Sequence, residues 1–178
     1  MRVIGGEFRG RRLFGPKGRQ IRPTSDRVRE SLFAILGDLV IGARFADLCA
    51  GTGSVGFEAL SRGAWHTTFV EKSRGAVALL RRNIKALGLF PAQVEVRNVD
   101  VTRLTRPADP WNIIFIDPPY VLAETIVDRL ARRDVLGDGA LVILEHAGKM
   151  PVSVDETFLQ VLDHRSYGQT SLTFFRKQ

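Results

Sequence analysis

The residues best suited to chemistry stand at 117–120, where Asp117, Pro118, Pro119 and Tyr120 follow the apolar run Ile113-Ile114-Phe115-Ile116. An apolar run without polar alternation reads as a strand covered on both faces, the pattern of a parallel sheet in an α/β domain. Ligands of such sheets bind beyond the carboxyl ends of the strands, which is where Asp117 falls. The exocyclic amino nitrogen of a purine is a poor nucleophile because its lone pair is delocalised into the ring. Two acceptors that take its N–H bonds hold that lone pair toward an electrophile, and the Asp117 carboxylate and the Pro118 carbonyl form such a pair. Each proline fixes its own φ, forces the preceding residue into an extended conformation and brings no N–H to compete. Tyr120 adds a flat face for an unstacked base, a contact worth roughly 1–3 kcal/mol in single-strand binders. The alternative use of Asp-Pro-Pro is a plain turn that ends the strand.

A second constellation lies upstream. Gly51-Thr52-Gly53-Ser54-Val55-Gly56 satisfies G-x-G-x-x-G, follows an expected strand and opens an expected helix, the context that a nucleotide-binding fingerprint requires. Glu71, about twenty residues on, ends the next strand, where it can accept hydrogen bonds from ribose hydroxyls. That placement suits both an NAD-dependent oxidoreductase and an enzyme using S-adenosylmethionine. Asp47 favours the second: it would oppose a pyrophosphate yet help to hold the ammonium of an amino-acid moiety. Asp100, after a third strand, is placed to bind an adenine amino group. Three carboxylates at three successive strand ends therefore match a cationic adenosyl cofactor.

The elements that must position these groups follow from periodicity. Residues 1–20 read as a glycine-rich basic hairpin or arm, with 3–4 and 12–14 as short strands and no core of their own. Residues 21–37 carry an N-terminal helix, capped by Thr24 or Ser25, with Val28, Leu32, Ile35 and Leu36 as its apolar stripe and Gly37 as its stop. Arg22, Arg27 and Arg29 are expected to point outward or toward a ligand. From residue 43 the pattern alternates: strands at 45–49, 67–71, 93–98, 113–116 and 140–145, with helices at 54–62, 73–87 and 122–133 between them. The runs 159–165 and 170–176 form a C-terminal antiparallel hairpin around Tyr167-Gly168. The expected fold is a single α/β domain over 1–178, Rossmann-like, with a mostly parallel, doubly wound, seven-stranded sheet.

Composition narrows the function. The net charge is +7, and residues 1–30 hold nine basic and three acidic residues, so +6 of the excess lies in the first sixth of the chain. Such a concentration is an electrostatic footprint for phosphate backbones, and Arg9, Arg11, Arg12, Lys17, Arg19, Arg22 and Arg27 are the candidates to meet nucleic-acid phosphates. The face of Arg74, Arg81, Arg82 and Lys85 reads instead as a solvated helix surface. A lone Cys49 gives no disulfide and no thiolate zinc cluster, and it reads as a packed residue. His66, His146 and His164 lie far apart without ligand spacing, so no metal site is expected. No apolar run reaches the length of a membrane span, and a cytoplasmic protein is the default.

Across almost its whole length the chain resembles the RsmD family of bacterial methyltransferases. The resemblance rests on Gly10-Arg11, Arg22-Pro23-Thr24, the run from Asp26 to Glu30, Asp47-Leu48-Cys49-Ala50-Gly51-Thr52-Gly53, Val70-Glu71-Lys72, Asp117-Pro118-Pro119-Tyr120, Glu145-His146 and Tyr167-Gly168. Cys49 stands where an aromatic residue is more usual in the family. The resemblance implies methylation of the N2 amino group of a guanine in 16S ribosomal RNA, on a protein-bearing 30S particle, by a monomer. It implies cofactor contacts at Asp47, Ala50, Gly51, Gly53, Glu71, Lys72, Asp100 and Val101. Asp-Pro-Pro-Tyr is shared with adenine-N6 methyltransferases, so that activity on DNA or RNA stays open. A non-enzymatic ribosome-assembly factor with a degenerate cofactor fold is the remaining alternative, opposed by intact Gly51, Gly53 and Asp117.

Overall fold

The computed structural model describes residues 1–15, 24–133, 135–148 and 152–178. A seven-stranded sheet runs through it in the order β3-β2-β1-β4-β5-β7-β6. The strands are β1 Arg44–Leu48, β2 His66–Val70, β3 Val94–Arg97, β4 Ile113–Ile116, β5 Leu141–Ala147, β6 Leu159–Tyr167 and β7 Thr170–Lys177. The helices are α1 Asp26–Leu36, α2 Ser54–Ser61, α3 Arg74–Leu87 and α4 Ala123–Arg132. The first five strands pair in parallel, and β7 inserts antiparallel between β5 and β6. No helix among the described residues is long and apolar enough to cross a membrane.

The strand order reverses between β1 and β4, which places a crevice above their carboxyl ends. The two strands pair from Phe45/Ile113 to Leu48/Ile116, and the Asp117 amide donates to the Leu48 carbonyl at 3.1 Å. The glycine turn after β1 and the Asp-Pro-Pro segment after β4 are therefore neighbours on one edge of the sheet.

Two-sided burial explains why β4 lacks polar alternation. Ile114 and Ile116 pack with Ala46, Leu48, Ile126 and Leu130 on one face, whereas Ile113 and Phe115 pack with Leu32, Phe33, Phe45 and Val55 on the other. Truncating one such side chain to alanine costs about 2–5 kcal/mol, so the strand that carries Asp117 is anchored rigidly.

Helix α1 starts at Ser25, whose Oγ accepts from the Val28 amide at 3.3 Å, and ends at Gly37 with φ 49°. Its buried face departs from the expected stripe. Ile35 is 40% exposed, while Phe33 and Arg29 are buried, Arg29 completely. The Arg29 guanidinium donates to Asp26 Oδ1 at 2.6 Å, the Arg2 carbonyl at 3.1 Å and the Ser54 carbonyl at 3.3 Å. Arg29 thus faces the interior, because the N-terminal segment and α2 close over that side of α1.

Among its described residues, 1–15, the N-terminal segment is less regular than a two-stranded hairpin, with one isolated bridge between Arg2 and Arg12. Its apolar residues Val3, Phe8 and Leu13 join a cluster with Phe57, Leu60, Leu80 and Leu87. Glu58, wholly buried in α2, clamps it: the carboxylate accepts from the Ile4 and Gly5 amides at 2.8 Å each and from Arg62 Nε at 2.8 Å. Gly6 lies so close to α2 that a Cβ there would sit 1.8 Å from the Ser61 carbonyl oxygen. The segment is therefore docked onto the sheet domain, and α2 is buried along its whole length.

Candidate active site

The turn after β1 is built from conformations that favour glycine. Gly51 and Gly53 have φ of 53° and 76°, and Cys49 has φ 62°. Gly56 sits against β2, where an added Cβ would lie 2.3 Å from Phe69 Cε1, so the third glycine permits close helix–strand packing. Two carboxylates hold the turn. Glu71 accepts from the Gly51 amide at 2.8 Å and the Ser73 amide at 2.7 Å, and Asp47 accepts from the Gly56 amide at 2.9 Å. The Asp47 carboxyl is pushed up to about 8, chiefly by burial and further by Glu71 and Glu145, against the opposing Gly56 bond. Asp100 accepts from the Thr102 amide and hydroxyl, bonds that hold it below the usual carboxylate range, with Lys72 Nζ 3.6 Å away.

These groups surround a cavity of about 470 Å³. Asp47, Ala50, Gly51, Glu71, Lys72, Asp100, Val101, Asp117, Pro118 and Pro119 all line it, with Val55, Val70, Val99, Phe115, Leu122 and Ile126 supplying apolar wall. Gly53 shapes the turn without lining the space. The volume lies within the roughly 300–1,000 Å³ of small-ligand sites. Four carboxylates against one lysine suit a ligand that is cationic at one end and flat and apolar at the other. A dinucleotide pyrophosphate would meet repulsion there. S-adenosylmethionine, with its sulfonium, ammonium, ribose and adenine, fits this donor set.

Cys49 borders the same cavity, yet its thiol is pushed up to about 12 by burial and by Glu71, Asp117, Asp47 and Asp100. It stays protonated and unreactive near neutrality.

A second cavity of about 300 Å³ opens on the other side of Asp117, Pro118 and Pro119. Its remaining lining is Ser25, Val28, Tyr120, Glu145, Tyr167 and Thr170. Of the two cavities Tyr120 lines the second and not the first; the residue is 42% exposed and its hydroxyl lies 3.2 Å from Thr170 Oγ1. Asp117 is pushed up to about 8, first by burial, then by Glu145 and Asp47. Among the described residues no donor bonds its carboxylate oxygens, which leaves them available to a ligand.

Of the expected RNA contacts, Arg9, Arg12 and Arg27 are exposed. Arg11 has a structural bond as well, from Nη1 to the Leu87 carbonyl at 3.0 Å, with its guanidinium over the Phe8 ring. Lys17, Arg19 and Arg22 lie outside the described residues. On α3, Arg74, Arg81 and Lys85 are exposed, and Arg82 stacks on Phe14 at 3.5 Å. Two of the histidines, distant in sequence, meet in space: His146 Nε2 and His164 Nδ1 lie 2.8 and 2.9 Å from the same Thr173 hydroxyl. The pairing arises because β7 inserts between β5 and β6. Sequence reasoning gave Ser25 the capping of a helix and gave no site role to Glu145, Tyr167 or Thr170, and all four complete the second cavity. The available signal was a carboxylate directly after the apolar run Leu141-Val142-Ile143-Leu144.

Comparison with known proteins agrees with this geometry. The family model described as Conserved hypothetical protein 95 matches residues 1–176. Ribosomal RNA small subunit methyltransferase D of Escherichia coli K12 is 39% identical over 147 residues, which cover 82% of this chain and 74% of that protein. The protein of the same name from Haemophilus influenzae is 32% identical over 181 residues, covering 99% and 93%. The solved structure of Escherichia coli yhhF superposes with a TM-score of 0.86 at 32% identity, covering 100% of this chain and 98% of that one. The chain belongs to the Conserved hypothetical protein 95 family, the RsmD family that its own motifs resemble.

Proposed function

We propose that this chain methylates the N2 amino group of a guanine in 16S ribosomal RNA, with S-adenosylmethionine as methyl donor. It acts as a cytoplasmic monomer on a protein-bearing small-subunit particle. One observation carries the reading: Asp117, Pro118 and Pro119 wall a cofactor-sized cavity on one side and a base-sized cavity on the other. Membership of the family supports ribosomal RNA methylation, the activity named for its relatives. The family resemblance supplies guanine and the assembled particle.

When bound, S-adenosylmethionine supplies a methyl group made electrophilic by a positively charged sulfur. Asp47 and Asp117 face its cationic end, Glu71 its ribose, and Asp100 with Val101 its adenine. Glu71 and Asp47 keep lone pairs for this, since each carboxylate oxygen accepts more than one bond. The Asp117 carboxylate and the Pro118 carbonyl take the N–H bonds of the target amine and direct its lone pair into the cofactor cavity. Their negative ends stabilise the positive charge that grows on nitrogen. Asp117 then takes the proton that the methylated nitrogen sheds, and an acidity near neutrality suits that task. Tyr120, held through Thr170, supports the unstacked base. Holding the reacting atoms about 3–3.5 Å apart and aligned is itself a large share of such catalysis. The exposed Arg9, Arg12 and Arg27 bind RNA phosphates.

Nucleoside mass spectrometry of small-subunit RNA from cells with and without the protein tests the proposal. Loss of N2-methylguanosine at one site, restored by the purified protein, is expected. Loss of N6-methyladenosine would transfer the assignment to adenine, and unchanged nucleosides would reject it.

A further inference from the structure

The second cavity contains a carboxylate that methyl transfer itself does not require. Glu145 lies on β5, one position beyond the pairing of Leu144 with Ile116, and Asp117 lies one position beyond Ile116 on the adjacent strand. The two carboxylates therefore sit side by side at the sheet edge, and both line the cavity. Glu145 is only 5% exposed, and its Oε2 accepts from the Thr24 hydroxyl at 2.9 Å. That bond helps to fix the carboxylate, and an ionised carboxylate, with about four lone-pair sites, accepts several bonds at once.

We propose that this cavity reads guanine, with Glu145 accepting the N1–H next to the amino group that Asp117 holds. The inference rests on the methyl-transfer reading above and deepens it. With the cofactor bound and Asp117 ionised, two adjacent carboxylates call for two adjacent donors on the ligand. In guanine the exocyclic amine on C2 is flanked by the N1–H, so both carboxylates are satisfied at once. In adenine the N6 amine is flanked by the bare N1, and in cytosine the N4 amine by the bare N3. Either would aim a lone pair at Glu145 while its amine engaged Asp117. A buried acceptor left facing another acceptor is costly, so Glu145 selects guanine by rejecting the other amino-bearing bases. Ser25 completes the pattern. Its Oγ accepts from the Val28 amide and keeps its own hydrogen, giving a donor within the cavity for the guanine O6.

The test uses small-subunit particles reconstituted with RNA that carries guanine, 2-aminopurine or 2,6-diaminopurine at the nucleotide the wild-type protein methylates. All three keep the amine on C2, and the two analogues lack the N1–H. Tritium transfer from S-adenosylmethionine gives kcat/KM for each. The wild-type protein is expected to lose about 10²-fold or more on both analogues, given the penalty for stranding a buried polar group in a site built to bond it. Glu145→Gln, whose amide donates to a bare N1, is expected to lose activity on guanine and to prefer the analogues. Unchanged calorimetric affinity for S-adenosylhomocysteine shows that the variant is folded. Equal wild-type rates on guanine and both analogues would overturn the inference, and that arm requires no variant. Wild-type protein inactive on every particle would overturn the methyl-transfer reading and this inference with it.

Discussion

Cofactor binding is expected to release protons, and the acidities of Asp47 and Asp117 set the size of the effect. Both groups are raised from 3.8 to about 8, mainly by burial in the cavity. At pH 7 a carboxyl with that acidity is only about 10% ionised. A cationic ligand stabilises the ionised form, so binding is coupled to loss of a proton. The sign follows: affinity rises with pH up to about 8 and then levels. If one carboxyl ionises per bound ligand, the dissociation constant falls about tenfold per pH unit well below pH 8, or about fiftyfold between pH 6 and pH 8. Without ligand the same two groups act in the opposite sense. Their folded acidities lie above the unfolded value, so their contribution to stability is full at low pH and is lost as pH rises to about 8. Isothermal titration calorimetry in phosphate and in Tris, whose ionisation heats differ, counts the released protons directly. S-adenosylhomocysteine, which has the ammonium without the sulfonium charge, should release fewer. Asp47→Asn and Asp117→Asn should each reduce the count. A dissociation constant independent of pH across this interval, or an unchanged proton count when both residues are asparagine, would refute the reasoning.

Two further outcomes follow from the N-terminal segment. Glu58→Ala removes the acceptor of two backbone amides and of Arg62, and takes one of two carboxylates from the buried Arg29, which keeps Asp26, so chemical denaturation should show a loss of about 3–5 kcal/mol. Changing Arg9, Arg12 and Arg27 together to glutamine should weaken RNA binding and lower its log–log salt slope by about 2, while calorimetric cofactor affinity stays unchanged. That charge change is a cleaner probe than truncation, because deleting the segment would also strip Val3, Phe8 and Leu13 from the core.

The parts of the fold legible in the sequence are those encoded by neighbours in the chain. The limits of β4 are marked by Asn112 on one side and by Asp117 and Pro118 on the other, with nothing polar between them. The glycine fingerprint announces its strand and helix because a left-handed turn and a close helix–strand contact both demand small residues at fixed spacing. The acids at strand ends were readable because a carboxylate directly after an apolar run stands out from its neighbours in the chain. What stayed hidden depends on residues brought together from afar. Arg29 has the composition of a surface residue, and its burial is decided by Arg2, Ser54 and Glu58. Charge counting likewise assigns Arg11 to RNA, although part of its donor capacity goes to the Leu87 carbonyl. That Glu71 and Asp47 line one cavity was legible in their strand-end positions, but their grip on the Gly51 and Gly56 amides was not. Glu145 gained a task only when the strand order placed β5 beside β4.

The central claim is that Asp117 holds the target amine at the wall between the two cavities. Tritium-methyl transfer to unmodified small-subunit particles by wild-type protein and by Asp117→Ala, with cofactor affinity measured at about pH 6, tests it most directly. At that pH Asp117 in the free protein is largely protonated, so the substitution alters the charge of the cofactor cavity least. Turnover should fall by at least about 10²-fold, the lower end for a positioned proton acceptor, while S-adenosylmethionine still binds. A variant that transfers methyl groups at the wild-type rate would contradict the account.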